Sequence, residues 1–180
     1  VTYGGKGKTA EWGTPPDVFK SLDAEFHFTL DPCANDKNHK CDKYYTKDDD
    51  GLTKSWKGEV VFMNPPYGKA IAQWVQKAYM EALGGTTVVC LLPVNTDTGW
   101  FQDYIYHKAE IRFPRGRINF VNEKGETVKG SNHCSMFVIY TSESVAPPPT
   151  NPTRSYCTLD SKCNVFTPCV ECRYCLVMKR

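Results

Sequence analysis

Residues 86–92, Thr-Thr-Val-Val-Cys-Leu-Leu, are apolar without interruption once past the threonines. A strand with one face in water alternates apolar and polar residues, whereas a strand covered on both faces does not. The run therefore predicts a strand in the middle of a parallel sheet with helices on either side, which makes the chain α/β. A second apolar run, Glu59–Asn64, reads as another buried strand, and Phe26, Phe28 and Leu30 alternate toward Asp31-Pro32 as a third. Between the first two, Ile71, Trp74, Val75, Ala78 and Ala82 fall at helical spacing within 69–83, ahead of Gly84-Gly85. A helix from about Pro15, a short strand at 43–46, a helix around 99–108 and a strand at 110–113 are also expected. Two more strands, 118–121 and 135–141, flank a turn-rich segment with Gly125 and Gly130, which suits a C-terminal antiparallel hairpin. Only 28 residues separate Asp31 from Val60, too few for two full crossovers, so this half of the sheet is expected to be abbreviated.

Function is sought where these strands end. Asn64-Pro65-Pro66-Tyr67 follows Val60-Val61-Phe62-Met63 directly. An exocyclic or amide nitrogen conjugated to a π system is a poor nucleophile, because its lone pair is delocalised. The Asn64 side-chain oxygen and the Pro65 carbonyl suit the two N–H protons of such a nitrogen and favour charge on it as it attacks. Pro65 and Pro66 stiffen the backbone that carries this acceptor, and Tyr67 offers a flat face for a planar substrate. Nitrogen methylation is the chemistry this set serves. A plain turn after a buried strand accounts for the same four residues structurally.

In open α/β sheets ligands lie outside the carboxyl ends of strands, so Asp31 is placed to accept a hydrogen bond from the ammonium group of an amino-acid cofactor. No Gly-x-Gly signature accompanies it, and a simple Asp-Pro turn is the structural alternative. Upstream, Trp12-Gly13-Thr14-Pro15-Pro16-Asp17-Val18 reads as a helix start, with Thr14 as N-cap, Pro15 at the first helical position and Asp17 in the first turn. The free N–H groups of such a terminus suit a carboxylate.

Together these segments resemble the phage-type DNA N6-adenine methyltransferases, the Dam-like family. The resemblance is carried by Glu11-Trp12-Gly13-Thr14-Pro15-Pro16, Leu30-Asp31-Pro32-Cys33-Ala34, Asp50-Gly51-Leu52 with Trp56, Phe62-Met63-Asn64-Pro65-Pro66-Tyr67-Gly68, Leu91-Leu92-Pro93 and Gly116-Arg117-Ile118-Asn119-Phe120, in that order. It runs from about residue 11 to 141. It implies a class I, Rossmann-like fold that uses S-adenosylmethionine and methylates adenine N6 in double-stranded DNA. Asn64, Pro65, Pro66 and Tyr67 would be catalytic. Trp12, Thr14, Pro15, Asp31, Pro32, Cys33, Asp50 and Leu52 would line the cofactor, with Asp50 on its adenine amine. The ribose-binding acid has no clear match beyond Asp36. Methylation of RNA or of a protein glutamine amide is the alternative for the same loop, and a non-catalytic binding module is a second.

The net charge of +2 names no partner; its distribution says more. Phosphate contacts are expected from Arg112, Arg115 and Arg117, from Lys6 and Lys8, and from the more basic C-terminal tail. No run is long enough for a membrane span and no signal-peptide pattern opens the chain, so a cytoplasmic protein of a bacterial host is expected. Pro147-Pro148-Pro149 with Pro152 reads as a stiff linker that divides a catalytic domain, 1–146, from a Cys-rich tail, 147–180. In that tail Cys157, Cys163, Cys169, Cys172 and Cys175 have partial zinc-ligand spacing. A structural zinc, unpaired thiols and disulfides are the three readings of them.

Overall fold

The computed structural model describes residues 13–122, 125–127 and 134–145. Within them α1 spans Pro16–Phe26, β1 Leu30–Asp31, β2 Lys43–Tyr44, β3 Val60–Met63, α2 Ile71–Leu83, β4 Thr87–Pro93, α3 Gly99–Tyr104, β5 Glu110–Arg112 and β6 Ser135–Tyr140. The six strands form one mixed sheet in the order β2-β1-β3-β4-β6-β5. Strands β2, β1, β3 and β4 run parallel to one another, and β6 is antiparallel to both β4 and β5. It follows that β5 runs in the same direction as β3 and β4, and that all of these end at one edge of the sheet.

Strand β4 behaves as its sequence demands. Every residue from Val88 to Pro93 is buried, and successive side chains go to opposite faces. Val88, Cys90 and Leu92 join one core cluster with Val61, Met63, Met136, Val138 and Tyr140. Helices α2 and α3 complete it through Trp74, Val75, Ala78, Ala82, Trp100 and Phe101. Val89 and Leu91 face the opposite way, into a cluster with Phe62, Ile139 and Leu22 of α1, walled by Phe19, Phe26 and Phe28. Helix α1 thus covers one face and α2 with α3 the other. This is why the strand is apolar throughout its buried stretch from Val88 to Pro93.

Two expectations change. The hairpin between 118–121 and 135–141 does not form, because both edges of β6 are occupied by β4 and β5. Val121 instead makes isolated antiparallel bridges to Gly13 and Thr127, and Gly13 and Val121 exchange both backbone hydrogen bonds at 2.8 and 2.9 Å. Thr14 is not the N-cap of α1. That position is Pro15, whose carbonyl accepts from Phe19 N, and no side chain caps the helix. Thr14 sits one residue too early to reach the second or third helical N–H, where a capping hydroxyl acts. Among the described residues no helix is long and apolar enough to cross a membrane.

Candidate active site

The chain places β2 on one side of β1 and then returns to place β3 on the other. Where strand order reverses in this way, neighbouring connections leave in opposite directions and open a crevice at the carboxyl ends of the strands. Asp31 is the last residue of β1, and Asn64 follows the last residue of β3. The two segments meet directly, since the Asn64 backbone N–H faces the Cys33 sulfur. Burial and the neighbouring Asp31 hold the Cys33 thiol well above its ordinary pKa, so at neutral pH it is an uncharged wall of the crevice.

Asp31 is only 5% exposed. Its Oδ1 accepts from Cys33 N at 3.4 Å and its Oδ2 from Lys40 N at 3.1 Å, while its carbonyl accepts from Tyr45 N at 3.0 Å. Burial raises the carboxyl pKa to about 6, and the two amide donors pull against that rise. Among the described residues Asp31 makes no ion pair. A buried carboxylate held by two amides, with the Lys40 and His39 charges near but not paired to it, is an acceptor suited to an incoming ammonium.

Asn64 is half-buried, and its Nδ2 donates to Thr14 Oγ1 at 3.1 Å. Thr14 is itself 2% exposed. The contact holds the Asn64 amide in place beside the Thr14 hydroxyl. Pro65 is buried, Pro66 is exposed, and the Tyr67 ring packs against both core clusters. Its hydroxyl donates to the Leu91 carbonyl at 3.4 Å, and Phe120 meets the ring edge-on at 6.2 Å between centroids. Burial raises the phenol pKa, so the group stays protonated at any physiological pH.

A third segment closes on β1 from the side. A Cβ on Gly51 would lie 2.1 Å from the Pro32 carbonyl oxygen, so only glycine allows this approach. Trp56, wholly buried, pins the segment by donating from Nε1 to the Gly51 carbonyl at 3.0 Å, and it stacks on Trp74. Asp50 is exposed with a left-handed φ of 52°, and its carbonyl accepts from Thr53. Leu52 packs against the core. Asp36, considered for a ribose, accepts instead from the Tyr44 hydroxyl at 3.0 Å.

The three arginines separate. Arg112 is held at the surface by two carboxylates: its Nη1 and Nη2 donate to the two Glu25 oxygens at 2.7 and 2.9 Å, and its Nε to Glu110 at 2.6 Å. It also lies over the Phe26 ring. A guanidinium occupied by two carboxylates is a poor phosphate contact; Arg115 and Arg117 are both exposed. Trp12, Lys6, Lys8 and the tail cysteines Cys157, Cys163, Cys169, Cys172 and Cys175 lie outside the described residues. Among those described, no group of three His, Cys, Asp or Glu side chains is placed to hold a metal.

The sequence singles out Asp31 and Asn64 but carries no sign of the contacts around them. The Thr14 hydroxyl on Asn64, the Lys40 N–H on Asp31 and Phe120 against Tyr67 span 50, 9 and 53 positions of sequence, and no local pattern signals them.

Comparison with known proteins supplies the context for this geometry. Residues 5–163 match the family model described as DNA N-6-adenine-methyltransferase (Dam). A DNA N-6-adenine-methyltransferase of Haemophilus phage HP1 (strain HP1c1) is 34% identical over 133 residues, covering 72% of this chain and 77% of that protein. Another, of Escherichia phage T1, is 30% identical over 146 residues, covering 71% of this chain and 61% of that protein. The family match reaches beyond residue 141, where the motif resemblance ends, and takes in Cys157 and Cys163.

Proposed function

The chain belongs to the DNA N-6-adenine-methyltransferase (Dam) family, and on that premise we propose that it methylates N6 of adenine in double-stranded DNA with S-adenosylmethionine as donor. The observation that carries this reading is that Asp31 and the Asn64–Tyr67 loop leave neighbouring parallel strands at the point where strand order reverses. One group there suits the ammonium of an amino-acid cofactor, and the other suits an amino nitrogen awaiting a methyl group. The fold read this way is a class I, Rossmann-like methyltransferase sheet. Its cofactor half is abbreviated to β1 and β2, each two residues long.

S-adenosylmethionine, when bound, supplies an electrophilic methyl group. Asp31 holds its ammonium, Asp50 its adenine amine, and Pro32, Cys33 and Leu52 the walls between. The first free N–H groups of α1, which begin at Asp17 because Pro15 and Pro16 have none, would meet its carboxylate. A target adenine is out of reach inside a duplex, so it is extruded at a cost of a few kcal/mol. Tyr67 stacking on the base offsets about 1–3 kcal/mol of that cost. Asn64 Oδ1 and the Pro65 carbonyl accept the two N6 protons, which turns the lone pair toward the methyl group and stabilises positive charge developing on N6. Thr14 acts through Asn64 by holding its side chain in position. As the bond from N6 to the methyl carbon forms, the methyl–sulfur bond of the donor would break to leave S-adenosylhomocysteine, and N6 would then lose one proton to water.

The reaction takes place in the cytoplasm of a bacterial host, on this reading, and residues 1–146 form the catalytic unit. The test is incubation with methyl-labelled S-adenosylmethionine and, in parallel, duplex DNA, RNA and a protein mixture. Label recovered as N6-methyladenine from DNA alone supports the reading. Label in RNA or in glutamine would transfer the same pocket chemistry to another substrate, and the DNA assignment would be withdrawn.

A further inference from the structure

A cavity of about 150 Å³ lies beside the candidate active site, walled by three connections: Gly13 ahead of α1, Lys37, Asn38 and Lys40 between β1 and β2, and Val121 with Asn122 after β5. Direct contacts tie it to the groups described above. The Lys40 backbone N–H donates to Asp31 Oδ2 at 3.1 Å. Gly13 adjoins Thr14, which meets the Asn64 amide at 3.1 Å. One wall of the cavity therefore touches the candidate cofactor acid, and another stands one residue from the Asn64 contact.

The lining offers donors and little to accept them. Among the described residues no carboxylate lines the cavity. Asn38 Oδ1 accepts from the Asn35 N–H at 2.8 Å. A backbone N–H can only donate, so this bond fixes the other end of the Asn38 amide as Nδ2, which has no partner among the described residues. Lys40 is half-buried, and its ammonium makes no hydrogen bond and no ion pair there. Burial depresses its pKa while the Asp31 charge pulls the other way. It is a cation drawn partly out of water without a counter-ion against it, which costs free energy. Glu126 does not line the cavity and accepts instead from Asn122 Nδ2 at 2.9 Å. Pro16, the remaining wall on the α1 side, has no N–H. The donors here are thus separate from the free N–H groups of α1, which begin at Asp17.

Resting on the DNA methyltransferase reading above, we propose that this cavity seats one backbone phosphate of the DNA beside the extruded adenine, held by the Lys40 ammonium and the Asn38 amide. An oxyanion matches a lining of donors and supplies the counter-charge that Lys40 lacks. Two oxyanions arrive with the substrates, the DNA phosphate and the cofactor's carboxylate. The carboxylate already has the N–H groups of α1 on the proposed reading. Extrusion turns a nucleotide about its backbone, and phosphate contacts fix the register of the protein on the duplex while that happens.

The test measures binding to a duplex that the wild-type protein methylates, between about 50 and 200 mM salt, with S-adenosylmethionine affinity by calorimetry and urea midpoints as the check on folding. Lys40→Met should weaken duplex binding severalfold and lower the slope of log affinity against log salt by about 1, with cofactor affinity within twofold of wild type. Lys40→Arg, which keeps the charge, should keep the slope. Asn38→Asp keeps the oxygen that accepts from Asn35 but turns the donor into a second carboxylate oxygen, and it should weaken duplex binding on the order of tenfold or more. Wild-type slope and duplex affinity in Lys40→Met, or no loss in Asn38→Asp, would overturn the phosphate site. Weakened cofactor binding with an unchanged slope would also overturn it, by giving the cavity to the cofactor's carboxylate. Wild-type protein that methylates no duplex would instead remove the reading beneath it.

Discussion

Substituting Asp31 by Asn tests the pocket at its most highly charged point. In the folded chain the carboxyl titrates at about 6, against 3.8 for the ordinary group, and burial is the main cause. At about 1.4 kcal/mol per pKa unit, the gap corresponds to about 3 kcal/mol. The folded state binds the proton more tightly than the unfolded one, so the stabilisation is complete below pH 3.8 and is lost as pH rises through about 6. Urea unfolding without cofactor should therefore show wild-type stability falling by about 3 kcal/mol across that window relative to Asp31→Asn, which lacks the titration. An ammonium facing Asp31 selects the ionised form. Wild-type affinity for S-adenosylmethionine should then weaken about tenfold from pH 7 to pH 5, a range over which the cofactor amine stays charged. Asp31→Asn should bind weakly at pH 7 and show no such dependence. Parallel pH profiles for the two proteins, in stability and in cofactor affinity, would refute both the buried acid and its partner.

Three further substitutions separate the remaining roles. Tyr67→Phe should cost less than about threefold in kcat/KM, because the hydroxyl bond to Leu91 is long, whereas Tyr67→Ala should cost on the order of 10- to 100-fold through lost stacking; equal losses in steady-state kinetics would point to the hydroxyl. Thr14→Val should lower kcat on the order of tenfold while leaving the KM for DNA and cofactor affinity near wild type, and Thr14→Ser should restore it, since only the hydroxyl on Asn64 is at stake. A serine variant no better than valine would make Thr14 a packing residue. Gly51→Ala forces a Cβ into the Pro32 carbonyl and should destabilise the fold by about 1–3 kcal/mol or more in urea unfolding; a neutral result would mean that the 46–53 segment does not close on β1.

The layers of the fold were legible because burial leaves its mark locally. The unbroken run ending in Leu92 and the helical spacing of Trp74, Val75 and Ala78 each encode which faces are covered, and the sheet obeys them. The abbreviated half was legible from chain length alone. Pairing partners were not, since what occupies the edges of β6 depends on β4 and β5 rather than on any pattern in 118–121. Asp31 and Asn64 could be found because each stops an apolar run at a proline. Thr14 was read as a cap from its neighbours, but a hydroxyl bonds to whatever donor the fold brings near, and here that donor is 50 residues away. The three arginines look equivalent in sequence. Glu25 distinguishes Arg112, from 87 positions upstream.

The most direct test of the central claim is the transfer rate of Asn64→Ala beside that of wild type, measured on duplex DNA with methyl-labelled S-adenosylmethionine and read as N6-methyladenine. On the proposed mechanism Asn64 meets the reacting nitrogen and not the cofactor's binding groups, so the loss should fall on kcat. The expected result is a loss of at least about 100-fold in kcat, with cofactor affinity within a few-fold of wild type. An Asn64→Ala enzyme that keeps most of its turnover, or label found anywhere but on adenine N6, would contradict the account.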